Sequence, residues 1–128
     1  KGICLMVFLP NKLDSTSSTW KKYITVVKDA ISGVNSGSLA FVWIEGGVNE
    51  DFENALHVGE LGYPIAVAIN YNKKAYSIMR SSFTSSSIKT FLNSLGSRSV
   101  ITERLESDLP EIKDSSKWDS SDFSKVDL

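Results

Sequence analysis

Chemistry in this chain would have to come from very few residues. Cysteine and histidine each occur once, as Cys4 and His57, in 128 residues. Dithiol–disulfide exchange needs a thiolate at a helix N-terminus, where the dipole and backbone N–H groups lower its pKa, and a resolving cysteine three residues on. The polar stretch from Asn11 to Trp20 that leads into the first helical pattern contains no cysteine. Cys4 lies instead within the apolar run Ile3–Leu9, where a buried free thiol acts as a small hydrophobe with a raised pKa, so we read it as structural. A monothiol enzyme working through Cys4 is the alternative from the enzyme class. His57, followed by Val58 and Gly59, reads as a surface or capping residue at a helix end, and no spacing makes it a dyad with Cys4. No His, Cys, Asp and Glu spacing marks a metal site. Gly46-Gly47 precedes Glu50 and Asp51, which would repel phosphate. The expectation is therefore no catalytic residue, no metal and no cofactor. One local feature stands out: Gly62-Tyr63-Pro64 opens directly onto the strand-like run Ile65–Ile69, and a proline there makes a tight turn and a candidate cis peptide.

The elements that would position these residues are legible from periodicity. Ile3–Leu9 is apolar on both alternating faces, the pattern of a strand covered on two sides, and Pro10 ends it. Trp20, Tyr23, Ile24, Val27, Ala30 and Ile31 recur at helical spacing, with Ser17 or Ser18 as cap and Gly33 as stop. Leu39–Ile44 is a second strand, broken by Gly46-Gly47. Asn49 caps a short helix that buries Phe52, Ala55 and Leu56 and ends near Gly59. Ile65–Ile69 and Ala75–Met79 form an antiparallel hairpin through Asn70–Lys74. Ile88, Phe91, Leu92 and Leu95 make a last helical stripe, started by Thr84 or Ser85 and stopped by Gly96. The order β-α-β-α-β-β-α predicts a mixed four-stranded α/β sheet with helices on both faces, its first three strands parallel.

Composition sets the limits. The length suits one domain with a real core. A net charge of −1 gives no basic field for nucleic acid. No apolar run approaches the roughly 18 residues of a membrane helix. Residues 1–102 hold 10 Lys and Arg against 7 Asp and Glu, while 103–128 hold 4 against 8. We therefore expect a domain over 1–98 and an acidic, partly mobile tail over 99–128. The start at Lys1-Gly2-Ile3, without an initiator Met, reads as a piece of a longer protein.

The pattern of residues goes beyond topology. Trp43-Ile44-Glu45-Gly46-Gly47, Glu53-Asn54-Ala55-Leu56, Gly59-Glu60-Leu61-Gly62-Tyr63-Pro64 and Ala66-Val67-Ala68-Ile69-Asn70 together resemble the C-terminal, non-catalytic b-type domain of P5-type protein disulfide isomerases, which follows two catalytic thioredoxin domains. The opening strand to Leu9-Pro10 and the Trp118-Asp119 pair extend the likeness over most of the chain. The final Lys125-Val126-Asp127-Leu128 departs from the Lys-Asp-Glu-Leu retrieval signal at two of four positions.

The resemblance implies a thioredoxin-like three-layer sandwich without Cys-x-x-Cys, in a protein of the endoplasmic-reticulum lumen that helps disulfides form and rearrange. Its partners would be unfolded or misfolded client proteins and the upstream thioredoxin domains of the same polypeptide. In catalytic relatives a cis proline here presents the preceding backbone to an extended client. Leu13, Trp20, Tyr63 and Pro64 are then the candidate client-binding residues, with Gly62 and Pro64 shaping the turn. Trp20 and Trp43 also fit a core role, since both fall on apolar faces. A spacer or docking module that recruits a partner without touching clients is the other open reading.

Overall fold

The computed structural model describes residues 3–32, 39–58, 61–95 and 100–105. Five strands form one sheet: β1 (Ile3–Leu9), β2 (Leu39–Glu45), β3 (Ile65–Asn70), β4 (Ala75–Ile78) and β5 (Glu103–Arg104). Among the described residues three α-helices cover it: α1 (Ser17–Ser32), α2 (Glu50–Ala55) and α3 (Ser85–Asn93). The strand order is β2-β1-β3-β4-β5. With helices on both faces this is a thioredoxin-like α/β sandwich.

The doubly apolar pattern of β1 makes it the central strand. Leu5, Val7 and Leu9 point to one face, where Trp20, Val27 and Ala30 of α1 and Ile88, Phe91 and Leu92 of α3 close the core. Met6 and Phe8 point to the other, against Phe52 of α2 and Leu56 at its C-cap. β3 divides likewise, Ala66 and Ala68 facing α1 and α3, Ile65, Val67 and Ile69 facing α2. Small residues on the first of these faces leave room for α1 and α3; branched ones fill the side that, among the described residues, α2 covers.

Two expectations change. β1 pairs with β2 in parallel but with β3 antiparallel, so the first three strands do not share a direction. Helix length explains this. A parallel return must run back along a seven-residue strand of about 23 Å, whereas the six residues of α2 rise only about 9 Å. The chain therefore re-enters the sheet at the end where it left. Ile65 of β3 pairs with Phe8, next to Leu9, which pairs with Glu45 at the end of β2. The sheet also has five strands, not four. Glu103–Arg104 lies beyond residue 98, pairs with β4 and is followed by buried Leu105, whose N–H donates to the Lys74 carbonyl at 2.8 Å.

The caps also sharpen. Thr16, rather than Ser17 or Ser18, caps α1 by accepting the Thr19 N–H at 3.2 Å. Thr84 caps α3 through the Ser87 N–H at 3.1 Å, as expected. Asn49 holds the N-cap position of α2, but its side chain makes no cap hydrogen bond. The expected stops Gly33, Gly59 and Gly96, and the tail beyond Leu105, lie outside the described residues.

Candidate functional site

Because α2 is short, three segments converge at one end of the sheet: the loop after β1, the loop after β2 and the turn before β3. Backbone and side-chain bonds stitch the first two together. The Gly46 N–H donates to the Leu9 carbonyl at 2.7 Å, and Asn11 Nδ2 donates to the Gly46 carbonyl at 3.0 Å. The Lys12 N–H donates to Glu45 Oε2 at 2.9 Å. Asn11 Oδ1 accepts the Leu13 N–H at 3.0 Å, which opens a 3-10 turn over Lys12–Asp14 and leaves the Leu13 side chain 69 % exposed.

The third segment is the turn Gly62-Tyr63-Pro64. Gly62 has φ +79°, a left-handed conformation that glycine adopts without strain, and the Tyr63–Pro64 peptide is cis. The half-buried Tyr63 ring covers Gly46 so closely that a Cβ there would meet Tyr63 Cε1 at 2.5 Å and the Leu9 carbonyl oxygen at 2.7 Å.

A buried carboxylate joins these pieces. Glu53, in α2, is only 2 % exposed. One of its oxygens accepts the Gly47 N–H at 2.8 Å, and the other accepts the Tyr63 hydroxyl. Burial first, then the hydrogen bond to Glu53 and its negative charge, push the Tyr63 phenol up to about 12. The Glu50 charge adds in the same direction, and the Gly47 backbone opposes it.

Of the residues expected at a client rim, the structure gathers Leu13, Tyr63 and Pro64 at this end of the sheet. Trp20 is not available to a client. It is fully buried, its Nε1–H donates to the Pro10 carbonyl at 2.9 Å, and its ring meets Trp43 edge-on at 5.2 Å. Its role here is to fasten the root of the β1 loop to the core, with the Lys12 ammonium 5.9 Å from the centre of its ring. Cys4 is half-buried rather than buried, and burial raises its thiol above the ordinary value. It sits six residues before Pro10, about 20 Å along the strand direction, so it takes no part in the rim. His57 is exposed, with φ +58°, in the turn that closes α2. Among the described residues no three of His, Cys, Asp and Glu gather to hold a metal ion, and no helix is long and apolar enough to cross a membrane.

Glu53 and Gly46 are the site residues that sequence reasoning passed over. A signal existed. Glu53 precedes Leu56 by three positions, so it shares the buried face of α2, where a carboxylate needs partners.

The fold and this end of the sheet define a thioredoxin-like α/β domain. No family model matches the chain. Its homologues among curated proteins are protein disulfide isomerases of the A6 and related types. It is 31% identical over 123 residues to the protein disulfide-isomerase A6 homolog of Caenorhabditis elegans, covering 95% of this chain and 28% of that protein. It is 33% identical over 121 residues to protein disulfide isomerase-like 2-3 of Oryza sativa, covering 94% and 27%, and 28% identical to mouse protein disulfide-isomerase A6, covering 94% and 28%. The chain thus spans little more than a quarter of the length of the curated relatives it matches. It aligns with a thioredoxin-like portion of these protein disulfide isomerases.

Proposed function

We propose that this chain is a redox-inactive, b-type thioredoxin-like domain of an endoplasmic-reticulum protein disulfide isomerase, and that its Leu13–Pro64 rim binds extended segments of client polypeptides. The observation that carries this reading is the convergence of the cysteine-free loop Pro10–Thr16 with the Gly62–Pro64 turn at one end of the sheet, both packed on Gly46. The loop has the place of a catalytic dithiol in a thioredoxin fold but lacks its cysteines, and the backbone ahead of Pro64 would be the edge to which a client strand pairs. Binding there would raise the effective concentration of unfolded chain near catalytic domains elsewhere in the same protein.

Amide NMR of the isotope-labelled chain, titrated with an unfolded cysteine-free peptide, tests it. Saturable shifts confined to Gly62–Ile65 and Asn11–Thr16 are expected. No shifts at millimolar peptide would leave the spacer or docking reading in its place.

A further inference from the structure

We propose that Glu53 is a positioning residue for the rim: its buried carboxylate ties the Gly46-Gly47 loop to Tyr63 and so holds the Tyr63-Pro64 turn in its binding shape without touching a ligand. The inference rests on the rim being the client site.

A carboxylate that is almost wholly buried is uncommon and costly unless its oxygens are satisfied. The N-terminus of α2 does not require one. Glu50 and Asp51, both exposed, already place negative charge in its first turn, where the helix dipole favours it. Glu53 does something those two cannot. Its oxygens each take a donor from a different segment, the Gly47 N–H from the loop after β2 and the Tyr63 hydroxyl from the turn before β3.

The connection continues past the carboxylate. Gly46, next to Gly47, donates to the Leu9 carbonyl and accepts from Asn11, whose Oδ1 in turn sets the Leu13 N–H. The Tyr63 ring packs against Gly46, and Tyr63 is bonded directly to Pro64. Tyr63 and Pro64 are therefore within two links of Glu53, and Leu13 is reached through Gly47, Gly46 and Asn11, although Glu53 itself is closed to solvent. Hydrogen bonds to a charged group are among the stronger ones in a folded chain. Loss of the carboxylate frees both the ring and the loop beneath it, and the turn that a client would meet loses its fixed geometry. Preorganisation of this sort acts on affinity by reducing the ordering cost of binding.

The test uses the full 128-residue chain carrying Glu53→Ala, Glu53→Gln or Tyr63→Phe, with the unfolded cysteine-free peptide as probe. Glu53→Ala is expected to weaken peptide binding by about tenfold or more, the effect of one or two lost charge-assisted bonds. Glu53→Gln is expected to rescue it to within about threefold, because the amide oxygen can accept the Gly47 N–H while its NH₂ donates to the Tyr63 oxygen. Tyr63→Phe, which keeps the ring and the Gly47 bond, should fall between them, and it decides the matter if Glu53→Ala does not fold. A folded Glu53→Ala chain that binds the peptide as well as the parent overturns the proposal, as does a Gln variant no better than Ala.

A second readout needs no peptide. The Gly47, Tyr63 and Ile65 amide signals should move in Glu53→Ala, and the Tyr63 phenol should titrate closer to its ordinary value. If the parent chain binds no peptide, the client reading fails on its own. Unmoved amides and an unmoved phenol in Glu53→Ala would then overturn the positioning role separately.

Discussion

Gly46 lies beneath the Tyr63 ring with no space for a side chain: a Cβ there would stand 2.6 Å from Tyr63 Cζ and 2.7 Å from the Leu9 carbonyl oxygen. Neither neighbour can yield easily. The Leu9 oxygen is backbone and already accepts the Gly46 N–H, and the tyrosine is held at its far end by Glu53. Gly46→Ala should therefore lower stability by about 1–3 kcal/mol, the usual cost of overpacking. The Gly46→Ala shift in chemical-denaturation midpoint measures it. In a Tyr63→Ala background part of the loss should return and part remain, because the Leu9 carbonyl stays. An unchanged midpoint in the single variant would show that the ring and the glycine are not in contact.

Alkaline pH offers an independent view of the same contact. With its phenol pushed up to about 12, Tyr63 is held in the protonated form more firmly in the folded chain than in the unfolded one, where a tyrosine titrates near 10. The stabilisation linked to this shift is complete below about pH 10 and is lost as pH rises toward 12. Tyr71 is raised as well, chiefly by burial, and contributes in the same direction. Denaturation midpoints should thus fall steeply between pH 10 and 12 in the parent. Tyr63→Phe should show a shallower fall while keeping the Tyr71 part. Equal slopes for the two proteins would remove Tyr63 from the account.

Much of this architecture was legible because periodicity reports burial. The alternation in Ile3–Leu9 and Ile65–Ile69 and the helical spacing from Trp20 to Ile31 each locate an element and its buried face. What periodicity does not report is direction. The antiparallel entry of β3 follows from the shortness of α2, a length argument rather than a pattern argument. β5 was invisible for a different reason: Glu103 and Arg104 are both exposed, and only Leu105 behind them is buried, so two residues of strand leave no apolar trace. The turn at Pro64 was readable from chemistry, since proline before an apolar run has few placements. Its anchor left a fainter trace: the spacing of Glu53 to Leu56 puts it on the buried face of α2, but only the fold brings up its partners Gly47 and Tyr63.

Trp20 and Leu13 separate stability from binding. Both come from the segment after β1, but Trp20 is fully buried with its indole N–H on the Pro10 carbonyl, while Leu13 stands 69 % exposed. Trp20→Ala should cost about 3–5 kcal/mol, as for other large buried side chains. Leu13→Ala should stay within about 0.5 kcal/mol of the parent, as surface changes do. The same Leu13→Ala chain should bind the unfolded peptide more weakly. Calorimetric unfolding and the peptide titration, run on one preparation of each variant, check both halves. A Leu13 variant that binds like the parent would remove this residue from the rim.

Cys4 bears on the enzyme-class alternative. A thiol acts as a nucleophile only as thiolate, and burial moves the Cys4 thiol in the wrong direction for that, above its ordinary value of 9.0. No compensating cation or helix N-terminus is part of that shift, whose cause is burial alone. In the folded chain at pH 7 a disulfide reagent should therefore react with Cys4 more slowly than with a free cysteine peptide. The rate should rise on adding denaturant, when the thiol leaves the flank of the α2-side core. Cys4→Ala should leave peptide binding unchanged, since the strand carries this residue about 20 Å from Pro10. A native Cys4 that outpaces the free peptide at neutral pH would instead support monothiol chemistry, and would place the reactive centre at the opposite end of β1 from the rim.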